Sequence, residues 1–324
     1  MFIEPSNANA IRYTGRWDIT KNTEATTTAP GSYIEFSFKG NYCLLKFDTE
    51  TNTLPFPHLW IKVDCGAKIE VPLDRFIRIE PETSGTHIVK IIFKSSMEWQ
   101  HRWYKPLCSK ITFLGFEADD IDVLPADNRE IIQFIGDSIT EGVLINPELN
   151  PEKNDQKNRV YQDDSTATYA FLTAKALRMR PYIMGYGALG VVQEACGAVP
   201  PAPQSYPYNF HESKITPVNA KITIINLGVN DWLVEKDVFK ANYKNLLNIV
   251  RRLNPKTKIV VLSPFHGTHS EDLFEIVQEY NNSKNENISF IDGSFWVPFE
   301  PLHPLRDGHV AIAEKLCKEL SQFL

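Results

Sequence analysis

Four short stretches of this chain carry residue types that can act together on an acyl group. Gly136-Asp137-Ser138-Ile139-Thr140 leaves the apolar run Ile131-Ile132-Gln133-Phe134-Ile135, which puts a small nucleophile where a buried strand breaks into a turn. Gly187-Ala188-Leu189-Gly190 follows Tyr182-Ile183-Met184, Gly228-Val229-Asn230-Asp231 follows Ile222-Thr223-Ile224-Ile225-Asn226-Leu227, and His303-Pro304 precedes the last helical segment. Ester hydrolysis at neutral pH needs an activated nucleophile, a base for its proton, and donors aimed at the oxyanion of the tetrahedral intermediate. The four stretches offer one of each. Taken singly, each also has an ordinary reading: Gly-Asp-Ser as a turn or helix cap, Gly190 as a turn glycine, Asn230 as a cap residue.

The elements that must position them can be read from the periodicity. Beyond Pro125-Ala126-Asp127-Asn128, short apolar runs alternate with helical spacing. Phe239, Tyr243, Leu246, Val250 and Leu253 share one helical face, and Val310, Ala313, Cys317, Leu320 and Leu324 are expected to share another. Lys258–Pro264 and Ile288–Asp292 read as further buried strands. Strands alternating with helices predict an α/β fold, a parallel sheet covered on both faces, whose carboxyl edge is where ligands bind. Residues 1–126 read differently: Ser32–Phe38, Leu59–Asp64 and His87–Phe93 alternate, with turn residues between, which predicts an all-β sandwich. The expected division is therefore 1–126 and 127–324.

The four ordered blocks resemble the SGNH branch of the GDSL-type hydrolases, over roughly residues 129–324, with Ser138, Gly190, Asn230 and His303 in the block positions. The resemblance implies a three-layer α/β/α SGNH domain preceded by a jelly-roll-like sandwich. It implies Ser138 as nucleophile, His303 as base, and an oxyanion hole made by the backbone N–H groups of Ser138 and Gly190 with the Asn230 amide. Three residues before the histidine the family usually has Asp, whereas this chain has Glu300, which either orients the imidazole as a third triad member or is a solvated loop acid. A sandwich ahead of such a domain is similar to the two-domain carbohydrate O-acetylesterases. The segments Gly142–Thr168 and Cys196–Pro200 look most like carbohydrate esterase family 17, the mannan-oligosaccharide deacetylases, with family 2 more distant. The expected activity is thus removal of acetyl groups from oligosaccharides, β-mannan fragments first. A thioesterase or lysophospholipase fits the same blocks, and an inactive carbohydrate-binding protein is a third reading.

Sugar recognition uses aromatic faces, and Trp232, Trp296, Tyr206 and Tyr208 are the candidates, each of which has a core reading as well. Asp137 and Asp231 are read as acids that fix their own turns through side-chain-to-backbone bonds. His266-Gly267-Thr268-His269 is a weak metal signal without acidic or cysteine companions, so no metal and no cofactor is expected. A net charge of −6 and a pI near 5.8 argue against nucleic-acid and anionic-membrane partners. The five cysteines, scattered and odd in number, are expected to be buried free thiols. Met1-Phe2-Ile3-Glu4-Pro5 lacks the pattern of a secretory leader, which gives a cytoplasmic expectation, with a trimmed leader as the alternative. A homo-oligomer is weakly favoured.

Overall fold

A computed structural model describes residues 1–146 and 159–324. Residues 147–158, inside the Gly142–Thr168 segment used for the family resemblance, lie outside the described residues. The five apolar runs beyond residue 130 form one parallel sheet, in the order Arg180–Gly185, Ile131–Gly136, Ala220–Asn226, Lys258–Leu262, Ser289–Ile291. These strands read as nearly continuous apolar runs because both their faces are buried. Ile132, Phe134, Ile222, Ile224, Val260 and Leu262 point to one core, shared with helices Tyr169–Ala176 and Arg306–Leu320. Ile135, Ile225, Ile259 and Val261 point to the other, shared with helices Lys236–Leu253 and Ser270–Lys284. The result is the three-layer α/β/α arrangement.

The 236–253 helix buries the expected Phe239, Tyr243, Leu246 and Val250. The last helix follows its expected face only at Ala313 and Leu320. It buries His309, Ile312, Ala313, Leu316 and Leu320, leaving Val310 and Leu324 exposed. Both stripes satisfy helical spacing, and packing against the 169–176 helix selects the one that also buries His309.

The N-terminal region is an antiparallel sandwich built around one long strand, Tyr33–Asp48. Its first part pairs with Gly85–Ser95 and Ile11–Thr14, its second with Ile111–Ile121 and Phe76–Ile79. One strand thereby serves both leaves, and Phe36, Phe38, Leu45, Phe47, Leu59, Phe93 and Phe113 fill the core between them. All five cysteines are free, but burial was over-expected: only Cys43 is buried and Cys65 is exposed.

Many polar contacts join the sandwich to the parallel-sheet region. Arg16 donates to the backbone carbonyls of Tyr206 (2.9 Å) and Tyr208, and Lys94 Nζ to that of Val160 (2.7 Å). Ser165 Oγ donates to Phe93 O (2.9 Å) and Trp60 Nε1 to Asp164 Oδ1 (3.1 Å). The buried Arg102 guanidinium forms a two-pronged pair with Glu141, at the end of the short helix that begins with Ser138. Arg102 lies in the stretch Trp99-Gln100-His101-Arg102-Trp103, which therefore helps to join the two regions.

Candidate active site

The 131–136 strand lies between 180–185 and 220–226, so the chain leaves it first to one side and later returns to the other. That is the switch point of a doubly wound sheet, where the loops diverge and leave a crevice. Ser138 opens a helical turn, Ser138–Glu141, whose cap is Asp137: Oδ1 accepts the Ile139 N–H at 2.9 Å. Asp137 is thereby committed to its own turn, and burial pushes its carboxyl up to about 7. From the loop before the last helix, His303 brings Nε2 to 2.9 Å from Ser138 Oγ. The structure thus joins two residues 165 positions apart in a nucleophile–base contact.

Burial, reinforced by the positive Arg159 and by His266, pulls the His303 pKa down to about 4. Only the neutral ring can accept the Ser138 proton, so the acid limb of kcat/KM is expected near pH 4 rather than at the ordinary histidine value of about 6.5. Stability runs the opposite risk. His309 is also held neutral, its pKa pulled down to about 3, chiefly by burial. The unfolded chain takes up protons on both rings below about pH 6.5 while the folded chain does not. Their contribution to stability is complete above that pH and is lost as pH falls towards 4 and then 3. A Tm that declines from pH 6.5 downwards while kcat/KM holds to about pH 4 is the expected pair of profiles. His309 itself is structural: its Nδ1 accepts the Tyr169 N–H at 3.0 Å and the two rings stack.

The loops after the neighbouring strands are locked together by Asp231. Its buried carboxylate accepts the N–H groups of Val191 (2.9 Å), Val192 (3.0 Å) and Gln193 (3.0 Å). A Cβ at Gly190 would collide with that carboxylate, which explains why glycine stands there. Asn230 Nδ2 donates to Leu189 O at 3.1 Å, leaving its second amide hydrogen for another acceptor. The Gly190 N–H, expected in the oxyanion hole, is instead given to Gln193 O at 3.1 Å. The tight turn that Asp231 gathers brings that carbonyl within reach. The Ser138 N–H, as the first of its helix, has no intrahelical acceptor and stays available with the Asn230 amide. His269 supports the same loop, its Nε2 lying 2.9 Å from Asp231 O, and His266 Nε2 lies 3.2 Å from Phe299 O on the His303 loop.

Glu300 is not brought to His303. It is exposed, and its charge is felt by His266, whereas among the described residues no carboxylate hydrogen-bonds the His303 ring. The geometry is that of a Ser138–His303 dyad. Glu300→Gln is expected to change kcat/KM by less than about fivefold, the worth of one exposed charge. A loss of a hundredfold would put the carboxylate back beside the ring.

Of the four aromatic candidates, only Trp232 is an open surface, 67% exposed and next to Asn230. Tyr206 is wholly buried, with Oη bonded to Gln133 Oε1 (3.1 Å) and Asn254 Nδ2 (2.6 Å). Tyr206→Phe should therefore lower stability by about 1–2 kcal/mol, read as Cm in urea, and leave KM unchanged. Tyr208 packs edge-on against Trp103 in the junction. Trp296 stacks on Phe265 against the sheet core. Both are half-buried and held in place by packing. Trp99 is 48% exposed, with its ring beside Arg159 and an open face.

Sequence reasoning missed the ions beneath the site. Glu141 accepts the Gly187 N–H at 2.6 Å besides pairing with Arg102, and Arg159 bridges Glu98 (2.7 Å) and Asp163 (3.2 Å). Burial, and then the Glu141 charge, raises the Glu98 pKa, and burial pushes the Asp163 carboxyl up to about 7. The Arg159/Asp163 spacing of four on one helical turn was the one local signal; Glu98 and Arg102 come from far away in sequence.

Residues 134–314, more than half of the chain, match the model of the GDSL-like Lipase/Acylhydrolase family. The chain belongs to this family. The match spans Ser138, Gly190, Asn230 and His303. An acetylxylan esterase/glucomannan deacetylase of Cellvibrio japonicus is 24% identical over 257 residues, 74% of this chain and 68% of that protein. Among solved structures, a family two carbohydrate esterase from Cellvibrio japonicus superposes with a TM-score of 0.83 at 19% identity, covering 100% of this chain and 97% of that one. The acetyl xylan esterase Est2A from Butyrivibrio proteoclasticus gives a TM-score of 0.79, also at 19% identity, over 99% and 98% of the two chains. These likenesses extend the shared fold to the N-terminal sandwich. Several of the solved structures that share the fold, at 19–22% identity, are family two carbohydrate esterases.

Proposed function

We propose that this hydrolase removes O-acetyl groups from carbohydrates, with acetylated oligosaccharides derived from β-mannan as the preferred class. The observation that carries the chemistry is the 2.9 Å contact between Ser138 Oγ and His303 Nε2 at the switch point of the sheet. The carbohydrate class is supported by the esterase/deacetylase relative and by the open faces of Trp232 and Trp99, which suit the apolar side of a sugar ring.

In this reading Ser138 Oγ attacks the acetyl carbonyl as His303 Nε2 takes its proton. The oxyanion receives the Ser138 N–H and the free amide hydrogen of Asn230. His303 then protonates the departing sugar hydroxyl, and water, activated by the same ring, releases acetate from the acyl-serine. The test is to incubate the protein with acetylated manno- and xylo-oligosaccharides and follow acetyl loss by mass spectrometry, with Ser138→Ala as control. Faster loss from the mannan set, absent in the variant, is the expected result. Equal rates would remove the mannan preference, and cleavage of acyl thioesters or lipids alone would overturn the carbohydrate reading.

A further inference from the structure

In the crease between the sandwich and the edge strand 180–185 lies a cavity of about 610 Å³. Six cations line it: Lys62, Lys68, Lys90, Arg129, Lys175 and Arg178. Lys62 and Lys90 belong to sandwich strands, Arg129 precedes the 131–136 strand, and Lys175 and Arg178 lie at the end of the 169–176 helix. None of its lining residues belongs to the Ser138–His303 site, and among the described residues no carboxylate lines it. Such a gathering is unexpected in a chain of net charge −6.

Three of the six are compensated from outside the cavity. Lys90 lies 3.2 Å from Glu35, Arg129 2.6 Å from Asp127, and Lys68 3.8 Å from Asp164. Lys62, Lys175 and Arg178 form no ion pair among the described residues. The wall supplies a second, independent observation. Tyr33 is 1% exposed, its Oη has no hydrogen-bond partner among the described residues, and Lys90 Nζ sits 3.7 Å from the centre of its ring. A buried hydroxyl is normally satisfied, and a phenol flanked by ammonium and guanidinium groups is suited to donate to an anionic oxygen. Burial, with smaller contributions from Arg306, Lys94 and Lys175, outweighs the attraction of Asp164 and holds the Lys68 pKa down, and a bound anion would favour its charged form.

We infer that this cavity binds a small organic polyanion carrying phosphate or carboxylate groups, with Tyr33 Oη donating to one of its oxygens and Lys62, Lys175 and Arg178 supplying the counter-charge. Its volume lies in the range of small-molecule sites, about 300–1,000 Å³. A phosphorylated sugar and a uronate-bearing oligosaccharide share the chemistry.

Titration calorimetry of the intact protein at low salt separates the two sources, with inorganic pyrophosphate and digalacturonate as probes. Saturable binding of at least one probe is expected, weakening as sodium chloride is added. The triple variant Lys62→Gln, Lys175→Gln, Arg178→Gln should lose about tenfold or more in affinity. Tyr33→Phe should weaken binding severalfold, and ester turnover should be unchanged in every variant. Arg178→Gln alone, at an exposed position, repeats the comparison should the triple variant lose its folded Tm. Pyrophosphate alone would assign a phosphate ligand, digalacturonate alone a carboxylate one, and both together a site that reads charge. Failure of both probes to saturate, or unaltered affinity in the charge variants, would overturn the inference and leave the esterase reading intact.

Discussion

Replacing Ser138 by alanine is expected to lower kcat towards acetyl esters on the order of 10⁵- to 10⁶-fold, with KM and Tm little changed. The reasoning is geometric. Ser138 Oγ, the proposed nucleophile, is in contact with His303 Nε2, and among the described residues no other hydroxyl bonds that ring. The side chain removed is small, and its backbone is held by the Asp137 cap, so the helical turn and the backbone donor remain. Nucleophile and base act as a unit, so the double variant Ser138→Ala, His303→Ala should be no slower than the first alone. The measurement is a pre-steady-state assay with a chromogenic acetyl ester: the parent should give an acyl-enzyme burst and the variant none. A variant within a hundredfold of the parent would show that another residue carries the acyl group.

Asn230→Ala is expected to cost about 10²- to 10³-fold in kcat, the usual loss on removing one oxyanion donor. With the Gly190 N–H turned towards Gln193 O, the proposed hole rests on Ser138 N–H and the Asn230 amide, so the alanine variant would remove half of it. The substitution also deletes the bond to Leu189 O, and the two effects can be told apart. Loss of the oxyanion contact lowers kcat with little change in KM, because the charge exists only in the transition state. Loss of the loop tie would raise KM and lower Tm together. If the Gly190 N–H swings into the hole once substrate binds, the cost falls towards tenfold.

The sheet was legible because strands buried on both faces announce themselves as apolar runs, and the chemistry-bearing residues follow those runs directly. Ser138 and Asn230 could be placed at one edge for that reason alone. The surroundings depended on pairings no local pattern encodes. Tyr206 reads as an aromatic in a proline-rich insertion, and its burial is settled by Gln133 and Asn254, 73 and 48 residues away. Glu300 sits at the right distance in sequence from His303, but its side chain leaves the ring on the exposed side of its loop. Gly190 reads from sequence as a turn glycine or an oxyanion donor, whereas what demands glycine there is the close approach of the Asp231 carboxylate. On the final helix the expected and the observed stripes share Ala313 and Leu320, and the bond that His309 accepts from the Tyr169 N–H helps to turn His309, Ile312 and Leu316 inward instead of Val310 and Cys317.

The pairing of Arg102 with Glu141 and of Glu98 with Arg159 has an evolutionary consequence. Appended modules are usually gained, lost or exchanged by recombination because their contacts with the catalytic body are few and wet. Here the excision of residues 1–126 would keep every block residue and yet strip the buried Glu141 carboxylate of Arg102 and the Arg159 guanidinium of Glu98, leaving Arg159 with Asp163 alone. Stranding one member of a buried pair is far costlier than never having had it. The sandwich and the hydrolase are therefore bound to descend together, and a lineage that discarded the first would first have to rewrite the floor of the second.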